Sequence, residues 1–516
     1  MKLAAIDIGT NSIHMVIAKV THRNSFQIID REKEMVKLGE GVFATNNLSE
    51  RAYREGLETI RRYVQLADQR GADEIITVAT SAIREAHNGG DFLNELVRET
   101  GISPEVISGS KEARLIFKAV RNEIALQGAH AMVIDIGGGS TEITVGNEQE
   151  ILMGKSMKLG VLRLLDMFSG EGSVGEEAIG VLEAHIRFVA QNIIQEAKDL
   201  GFSRIIGTSG TIRTLGEAAH IAAGGKPMKS VNAEVVKLSD LDNLTKQLLK
   251  MKPEKRAGIN GIGEKRADAI HLGGALLVQL LQMAGVEEIT LCDASLREGL
   301  ILDYLENHTQ SIANFPESKD LRHKSAFQLA YQFNVDWEQK MHVASLALQL
   351  FDHSSKLHGL GDFERDIVEY ASLLHSVGQY IRFERYHKHS RYIIAHAGLR
   401  GFNDEEILLI SQVVRYHRKK APAKKHKKFK KLTKAQKNTV RILSGILRVA
   451  VSLDRTKNQL VKEVVCKHSR KKLVLQIAGR PENMKLELWA TRRHLAPLAK
   501  ALGRDITLEP VPADPS

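Results

Sequence analysis

The sequence has little cysteine, few aromatic residues and no long apolar run. Only two cysteines, Cys292 and Cys466, occur among 516 residues, and they lie far apart, which excludes a disulfide framework and a cysteine-based zinc site. No apolar segment reaches the roughly 18 to 20 residues of a membrane-spanning helix, and the N-terminal residues enter an apparent strand without a signal-peptide pattern. We therefore expect a cytoplasmic protein whose two cysteines are chemically inert.

Composition and length are those of a folded protein with several domains. The chain is 43% hydrophobic and 26% charged, and its length corresponds to three or four domains of about 100 to 150 residues each. Charge is divided unequally: residues 1–310 hold 35 Lys and Arg against 42 Asp and Glu, or −7, whereas residues 311–516 hold 38 against 20, or +18. This asymmetry indicates a polyanionic partner: a nucleic acid, an acidic membrane surface at which the protein associates peripherally, or a phosphate polymer. The simpler alternative is a well-solvated basic surface.

The pattern of apolar residues changes near Lys319. Before it, β-branched strand-like runs alternate with amphipathic helical stretches (49–70 and 175–200), which is typical of an α/β fold. After it, helical spacing dominates (337–351 and 363–374) until two late strand-like runs, 472–477 and 485–489. We predict domains at 1–120, 121–308, 309–465 and 466–516. The predicted strands of the first half are 3–8, 13–20, 74–80, 132–135, 142–145, 204–207 and 288–291.

One internal repeat organises the first half. The segment Ile6–Ser12 (Ile-Asp-Ile-Gly-Thr-Asn-Ser) is matched by Ile134–Ser140 (Ile-Asp-Ile-Gly-Gly-Gly-Ser), each with a strand-like run on both sides. In each copy a strand ends in an Asp and enters a glycine-containing turn followed by hydroxyl or amide side chains. Such a turn can cradle a phosphate, and the Asp is placed to hold Mg²⁺, which prefers oxygen ligands shared with substrate phosphates. Two related domains that each present one such turn are implied.

A third segment, Ile205–Thr211 (Ile-Ile-Gly-Thr-Ser-Gly-Thr), runs from a strand into a hydroxyl-rich turn before a helix that we predict to begin near Ile212. The exposed N–H groups at that helix start offer a further anion site. Neither a dinucleotide Gly-x-Gly-x-x-Gly fingerprint nor a Walker-type phosphate loop occurs at these turns. The phosphate geometry is therefore not that of a Rossmann enzyme or a P-loop NTPase.

These turns resemble those of the actin, sugar kinase and heat-shock chaperone ATPase superfamily. Within it, three segments closely match the exopolyphosphatase and guanosine pentaphosphate phosphohydrolase (Ppx/GppA) family: Val106–Phe117 (Val-Ile-Ser-Gly-Ser-Lys-Glu-Ala-Arg-Leu-Ile-Phe), Asp135–Glu142 and Leu296–Gly299 (Leu-Arg-Glu-Gly). The resemblance covers essentially the whole chain. It implies two actin-like (ribonuclease H-like) α/β domains with a cleft between them, a mainly helical degenerate HD-like domain, and a small C-terminal α+β domain.

The resemblance also assigns residues to roles. It makes Glu112 the catalytic base that orients and deprotonates a water next to the terminal phosphoryl group, and it makes Asp7, Asp135 and Glu142 the carboxylates of a Mg²⁺ or Mn²⁺ site. Arg84 resembles a family position facing the cleft, where a guanidinium can fork onto phosphate. Pairing of Arg84 with a structural carboxylate is an equally open alternative. The phosphate-binding residues implied are Asn11, Ser12, Arg84, Gly137, Gly138, Gly139, Ser140, Thr141, Ser209, Gly210 and Thr211.

The C-terminal half resembles the helical HD phosphohydrolase fold around Leu373–Ser376 (Leu-Leu-His-Ser), with His342, His387, His389 and His417 in the neighbouring sequence. Metal binding in that fold needs a carboxylate directly after the histidine, and here a serine occupies the place. A hydroxyl is a poor substitute for a metal-binding carboxylate, so we interpret this domain as a scaffold without metal chemistry of its own.

A basic tract lies between Arg415 and Lys431, with ten Lys or Arg residues and no acidic residue. Its only aromatic residues are Tyr416 and Phe429, too few for a base-stacking platform, so a phosphate backbone is a better partner than bases and no specific nucleic-acid readout is expected. The tract would hold the distal part of a long polymer, which predicts processive cleavage. Its cations are Arg415, Arg418, Lys419, Lys420, Lys424, Lys425, Lys427, Lys428, Lys430 and Lys431.

The sequence favours hydrolysis of terminal phosphate from inorganic polyphosphate, and the alternative within the family is guanosine pentaphosphate (pppGpp). Nothing in the catalytic motifs separates these substrates; the basic tract favours the polymer. A sugar or acetate kinase shares the two turns but gives no reason for Glu112 or for the basic half. A polyphosphate-binding sensor without chemistry would lose the site carboxylates. Long family members pair as dimers, so a homodimer is implied.

Overall fold

The structure is a computed structural model and describes residues 1–22, 25–168, 176–308, 320–423, 425–469 and 472–512. The chain divides into two units, Met1–Glu317 and Ser318–Ser516. In the ranges described, no helix combines the length and the apolarity that are needed to cross a membrane. Both cysteines are free thiols; Cys292 is buried and Cys466 is half-buried.

The first sheet of the N-terminal unit has five strands in the order β3-β2-β1-β4-β5. Strands β1 to β3 form an antiparallel meander, and β4 and β5 add to it in parallel. The strands are β1 (Lys2–Ile8), β2 (Ile13–His22), β3 (Ser25–Glu34), β4 (Glu74–Ala79) and β5 (Glu105–Val106).

The second sheet repeats this arrangement and has six strands in the order β10-β11-β9-β6-β7-β8. Again an antiparallel meander is followed by a parallel strand. The internal repeat predicted from the two turns is therefore confirmed, because Asp7 and Asp135 occupy the same place at the ends of β1 and β6. The strands are β6 (Ala131–Ile136), β7 (Thr141–Gly146), β8 (Ile151–Met157), β9 (Arg204–Thr208), β10 (Val235–Lys237) and β11 (Glu288–Leu291).

Helices cover both sheets. They are α1 (Val42–Thr45), α2 (Glu50–Gln69), α3 (Ser81–Glu85), α4 (Gly89–Thr100), α5 (Gly109–Glu123), α6 (Val161–Phe168), α7 (Glu176–Leu200), α8 (Ser209–Ala222), α9 (Leu238–Lys250), α10 (Pro253–Ala257), α11 (Glu264–Ala267), α12 (Ile270–Ala284) and α13 (Leu296–His308). The mixed α/β fold predicted for the first half is confirmed.

Helix α5 lies between the two sheets. Ser108 begins it by accepting a hydrogen bond from the N–H of Lys111 at 3.2 Å, a capping arrangement that satisfies one of the free donors of the first turn. Its apolar residues are buried in one cluster together with Val78 of the first sheet and Val133 of the second. The domain boundary predicted near residue 120 falls within this helix. Burial against both sheets fixes the axis of α5 and hence the position of its first turn.

The C-terminal unit is mainly helical and ends with a three-stranded sheet in the order β12-β13-β14. Its elements are α14 (Leu321–Gln332), α15 (Trp337–His353), α16 (Ser355–His358), α17 (Asp362–Leu374), a 3-10 helix (Val377–Tyr380), α18 (Tyr386–His396), α19 (Asp404–Tyr416), α20 (Lys427–Lys430), α21 (Lys434–Leu453), β12 (Glu463–His468), β13 (Lys472–Ala478), α22 (Lys485–Arg492), α23 (Ala496–Leu502) and β14 (Asp505–Val511).

Two local predictions were wrong. The run 485–489, predicted as a strand from its alternating apolar residues, belongs to helix α22. The buried side chains there are Met484, Glu487, Leu488 and Thr491, a helical spacing, while Leu486 and Trp489 are exposed, so packing overrides the alternation. Helix α8 begins at Ser209, three residues before the start predicted near Ile212, so the third turn is itself the first turn of the helix.

The packing of α5 gives a stability prediction. Phe117 is fully buried between the sheets, so Phe117→Ala should lower the free energy of unfolding of the N-terminal unit by about 3 to 5 kcal/mol, through lost burial and the cavity left behind. The matched control is Phe188→Ala, because Phe188 is 75% exposed.

Urea titration followed by circular dichroism should show an earlier transition in the Phe117 variant. Both tryptophans, Trp337 and Trp489, belong to the C-terminal unit, so tryptophan fluorescence reports that unit and should change little. Equal stability of the two variants would contradict the central role of α5.

Candidate active site

Four carboxyl groups interact between the two sheets: Glu112 and Glu142 are buried, and Asp7 and Asp135 are half-buried. Asp7 and Asp135 come from the ends of β1 and β6, Glu142 from β7, and Glu112 from the first turn of α5. Burial raises the pKa of Asp7 to about 6, against the opposing effect of Arg297. Burial, with the negative charges of Glu142 and Asp7, raises the pKa of Asp135 to about 8. The site is therefore built to receive positive charge.

The pKa of Glu112 is raised as well. Burial, and next the charge of Glu142, hold its pKa well above the ordinary value, although Arg84 opposes the shift. Nη1 of Arg84 lies 3.5 Å from Oε2 of Glu112 and donates a hydrogen bond to the carbonyl of Ile107 at 2.6 Å. Within the described residues, Oε2 of Glu112 and Oδ1 of Asp7 are buried without a hydrogen-bond partner. Both oxygens are available to a ligand.

Glu142 lies behind Glu112. Its Oε1 accepts a hydrogen bond from Oγ of Ser156 at 2.7 Å. Burial raises its pKa to about 7, against the lowering effect of the hydrogen bonds from Ser156 and Ser140. Glu142 therefore adds negative charge next to Glu112 and Asp135 without lining the cleft.

A cleft of about 170 Å³ contains most of the residues predicted for catalysis and phosphate binding. Three of them lie elsewhere. Arg84 and Glu142 do not line the cleft. Thr141 is fully buried and donates its hydroxyl to the carbonyl of Leu159 at 2.6 Å. The predicted residues that line the cleft are Asp7, Asn11, Ser12, Glu112, Asp135, Gly137, Gly138, Gly139, Ser140, Ser209, Gly210 and Thr211.

The two repeated turns touch each other. A Cβ on Gly138 would lie 3.0 Å from Cβ of Thr10 and 3.3 Å from the backbone N of Asn11, so only glycine allows this approach. The carbonyls of Gly137 and Gly138 accept hydrogen bonds from the start of α6, and that of Gly139 accepts one from Nε of Arg163 at 2.8 Å. Because these carbonyl oxygens face α6 and Arg163, the N–H ends of the same peptide groups, which are the positive ends of their dipoles, point away from α6 and Arg163.

The third turn is strained. Ser209 has φ of +88°, a conformation that residues other than glycine rarely adopt. Its Oγ accepts hydrogen bonds from the N–H groups of Thr211 and Ile212, both at 3.2 Å, and so caps α8. Ser209 consequently lines the cleft in a geometry that the helix start enforces.

Four cations of the cleft were missed from the sequence: Lys33, Arg213, Arg266 and Arg297. The guanidinium of Arg266 packs against Gly210, where a Cβ would displace it, and Arg297 is the main positive charge acting on Asp7. Burial, followed by the charges of Arg266 and Arg213, lowers the pKa of Lys33 to about 8. Such crowding of cations marks a binding site for several negative charges.

Only Arg297 had a usable signal in the sequence, because it lies in the Leu296–Gly299 motif. Lys33, Arg213 and Arg266 come from β3, α8 and α11, and no spacing links them. His14 is a fifth missed residue: its Nε2 lies 2.6 Å from Oγ of Ser12, and burial with the neighbouring cations lowers its pKa to about 2. His14 is therefore neutral at physiological pH.

Asp7 and Asp135 are the candidate ligands of a divalent cation. In the portion of the chain that is described, no three His, Cys, Asp or Glu side chains lie close enough to form a ready-made metal cage. Asp7 and Asp135 nevertheless line the cleft, and Asp7 keeps an unpaired buried oxygen. Mg²⁺ needs few protein ligands, since water and substrate phosphates complete its octahedron, so these residues fit it.

Three histidines of the helical unit, His375, His387 and His417, are buried, whereas His342 and His389 are half-buried. The rings of His375 and His417 lie 5.2 Å apart, and burial lowers the pKa of His417 to about 3 and that of His387 to about 4. Nδ1 of His375 donates to the carbonyl of Ser372 at 2.7 Å. Ser376, in the place of the HD carboxylate, is also buried. These contacts are those of residues that pack helices together.

The basic tract forms the end of α19, the loop after it and α20. Its aromatic residues, Tyr416 and Phe429, are buried and anchor the segment. Arg415 stacks on Tyr416, and Arg418 on Phe383 and Tyr386. Lys424 lies outside the described residues. The exposed cations are Lys419, Lys420, Lys425, Lys427, Lys428, Lys430 and Lys431.

The chain is similar in sequence to known phosphatases. The Ppx/GppA phosphatase family model matches residues 16–308, and the model of domain III of that family matches residues 321–492. A guanosine-5'-triphosphate,3'-diphosphate pyrophosphatase of Aeromonas hydrophila is 29% identical over 412 residues, which are 80% of this chain and 79% of that protein.

Two solved structures are also similar. An exopolyphosphatase from Cytophaga hutchinsonii is 28% identical with a TM-score of 0.56, covering 60% of this chain and 99% of its own. The Ppx/GppA family member of Aquifex aeolicus is 26% identical with a TM-score of 0.51 and covers the same shares.

Paired phosphate turns, buried carboxylates and convergent cations define an enzyme that acts on phosphate groups. More specifically, the chain belongs to the Ppx/GppA phosphatase family. The prediction of a phosphoanhydride hydrolase on an actin-like fold is thereby confirmed at the level of the family.

The position of Glu112 gives a test of its role. Glu112→Gln keeps the size of the side chain but cannot take a proton, so turnover should fall by about 10² to 10⁴-fold while substrate affinity and unfolding temperature stay near those of the wild type. Steady-state phosphate release measures this, and the exposed residue Glu58 supplies the control Glu58→Gln. Near-normal turnover in the Glu112 variant would remove this residue from the mechanism.

Proposed function

We propose that this enzyme hydrolyses the terminal phosphate of inorganic polyphosphate, moving along the polymer from its end. The lining of the cleft favours polyphosphate over a purine nucleotide. It has four cations, and the imidazole of His14 is the only aromatic ring among the described residues that line it. A phosphate chain needs cations along its length, whereas a purine needs a flat apolar partner.

The chain's own residues divide the reaction between them. The glycine turn and Ser12, Ser140 and Thr211 bind the terminal phosphate, while Arg213, Arg266 and Arg297 neutralise the phosphates that follow. Glu112 takes a proton from the attacking water. The water oxygen bonds to the terminal phosphorus, the bond to the bridging oxygen breaks, and that oxygen becomes the new end of the shortened chain.

Asp7 and Asp135 would hold a divalent cation, Mg²⁺ or Mn²⁺, and Glu142 adds negative charge from behind Glu112. When bound, the cation neutralises the phosphate oxygens as charge develops on them. Arg84 opposes the rise in the pKa of Glu112 and orients its carboxyl group through the 3.5 Å contact, which is a positioning role. A non-catalytic polyphosphate sensor would have no use for this set of buried carboxylates.

Guanosine pentaphosphate is the second candidate substrate. Its support is the name of the Aeromonas hydrophila relative and a pocket of about 310 Å³ that shares Lys33 and Arg266 with the cleft. Met35 and Ile262 give this pocket an apolar lining that a guanine base could contact. A polymer has no group that would use it.

The two substrates are separated by direct assay. Phosphate release from long polyphosphate and from guanosine pentaphosphate should be measured side by side, with Mg²⁺ and with excess chelator. We expect the higher kcat/KM on polyphosphate, no activity in chelator, and for Asp135→Asn a loss that added metal only partly restores. Full activity in chelator would refute the metal requirement. A higher kcat/KM on guanosine pentaphosphate would make it the preferred substrate.

The basic tract should hold the distal polymer. Neutralising the exposed residues Lys425, Lys427, Lys430 and Lys431 to Gln should weaken binding of long polyphosphate, reduce processivity and flatten the salt dependence of binding, by analogy with counterion release from nucleic acids. Very short chains and guanosine pentaphosphate should be hydrolysed almost normally, because their phosphates fit within the cleft.

A matched control neutralises four exposed lysines of the same unit outside the tract: Lys462, Lys467, Lys485 and Lys500. Equal losses on short and long substrates would show that the tract supports folding instead. No loss on either would make it an ordinary solvated surface.

A further inference from the structure

A second and larger cavity, of about 770 Å³, opens on the other side of the catalytic carboxylates. Its lining shares only Ser140 with that of the phosphate cleft. We call it the side cavity; its polar lining includes Arg84, Arg114, Ser140, Lys155, Ser156 and Lys158. It lies between the first turn of α5 and strand β8, where Oγ of Ser110 donates to the carbonyl of Gly154 at 3.0 Å.

The catalytic carboxylates form the wall between the cleft and the side cavity. Glu112 lines the cleft, and Arg84, which lies 3.5 Å from it, lines the side cavity. Likewise Ser156 of the side cavity donates its hydroxyl to Glu142 at 2.7 Å. Contacts between side chains therefore link the linings of the two spaces at the position of the proposed base.

The side cavity has one cation without an acidic partner. Three of its four cations are paired: Arg84 with Glu112 at 3.5 Å, and Lys155 with Glu196 and Lys158 with Glu85, both at 3.3 Å. Glu85 has a stronger partner in Arg163, at 2.7 Å. Arg114 is exposed and makes no salt bridge with any described residue. A guanidinium in this setting can bind a phosphate with two parallel hydrogen bonds.

The proposed reaction creates an anion that has to leave on this side. In an in-line displacement the attacking water and the leaving oxygen lie on opposite faces of the phosphorus. The shortened polymer remains among the cations of the cleft, and the released phosphate carries the water oxygen on the face of Glu112. Departure through the cleft would require the polymer to dissociate first, which a processive enzyme avoids.

We propose, on the basis of this function, that the side cavity is the exit route and a transient binding site for the orthophosphate product. Arg114 provides the first contact outside the wall, and Arg84 links that contact to Glu112. Because cleft and side cavity are separate, orthophosphate can bind while the polymer still occupies the cleft.

The test is product inhibition by inorganic phosphate, using polyphosphate or guanosine pentaphosphate, whichever the enzyme hydrolyses. The proposal predicts mixed inhibition, with a measurable inhibition constant for phosphate on the polymer-bound enzyme. Arg114→Glu should raise that constant by about 5-fold or more, the effect of losing one charge contact and adding a repulsion, with little change in KM. The control is Arg98→Glu, at an exposed arginine on α4 outside the side cavity.

A second variant tests the exit route in case the Arg114 variant does not fold. Leu152 lines the side cavity and is 37% exposed, so Leu152→Trp should narrow the route at low cost to the fold and lower kcat several-fold without raising KM. Purely competitive inhibition, with the same constants in the wild type and the Arg114 variant, would overturn the exit route while leaving the proposed function intact. No hydrolysis of either substrate by the wild type would overturn both.

Discussion

The close approach of four carboxyl groups, two buried and two half-buried, is the constraint on which the structure depends. Isolated from water, each carboxylate is unfavourable, and their mutual repulsion adds to that penalty, as the raised pKa of Asp135, to about 8, shows. A protein keeps such a group only if the surrounding fold is stable enough to hold it. Here two sheets and the helix between them supply that stability.

Helix α5 connects stability to chemistry. Its apolar faces join the two sheets in one core, and its first turn carries Glu112 into the space between the phosphate turns. Arg84, from α3, and Ser156, from β8, then fix the charges next to it. Glu112 is therefore located by packing on both sides of the helix, which positions a side chain more precisely than a loop would.

Much of this could be predicted from the sequence, for identifiable reasons. The Asp7 and Asp135 turns repeat a local pattern, so their pairing was visible as spacing, and the structure confirms the duplicated sheet. Glu112 was found only through the family motif, since a Glu on an amphipathic helix is usually solvated. Lys33, Arg213 and Arg266 could not be found, because they converge from three elements whose packing no local pattern encodes. The alternating apolar residues of 485–489 led to a wrong strand prediction, because tertiary packing makes this segment part of helix α22.

The matched registers of the two sheets have one more consequence. Asp7 pairs with His14 across β1 and β2, and Asp135 pairs with Glu142 across β6 and β7, so this register position carries a different side chain in each half. One copy carries a neutral imidazole beside Ser12, and the other a carboxylate beside Glu112. The broken symmetry gives the centre a direction, with a donor-rich pole and an acidic pole.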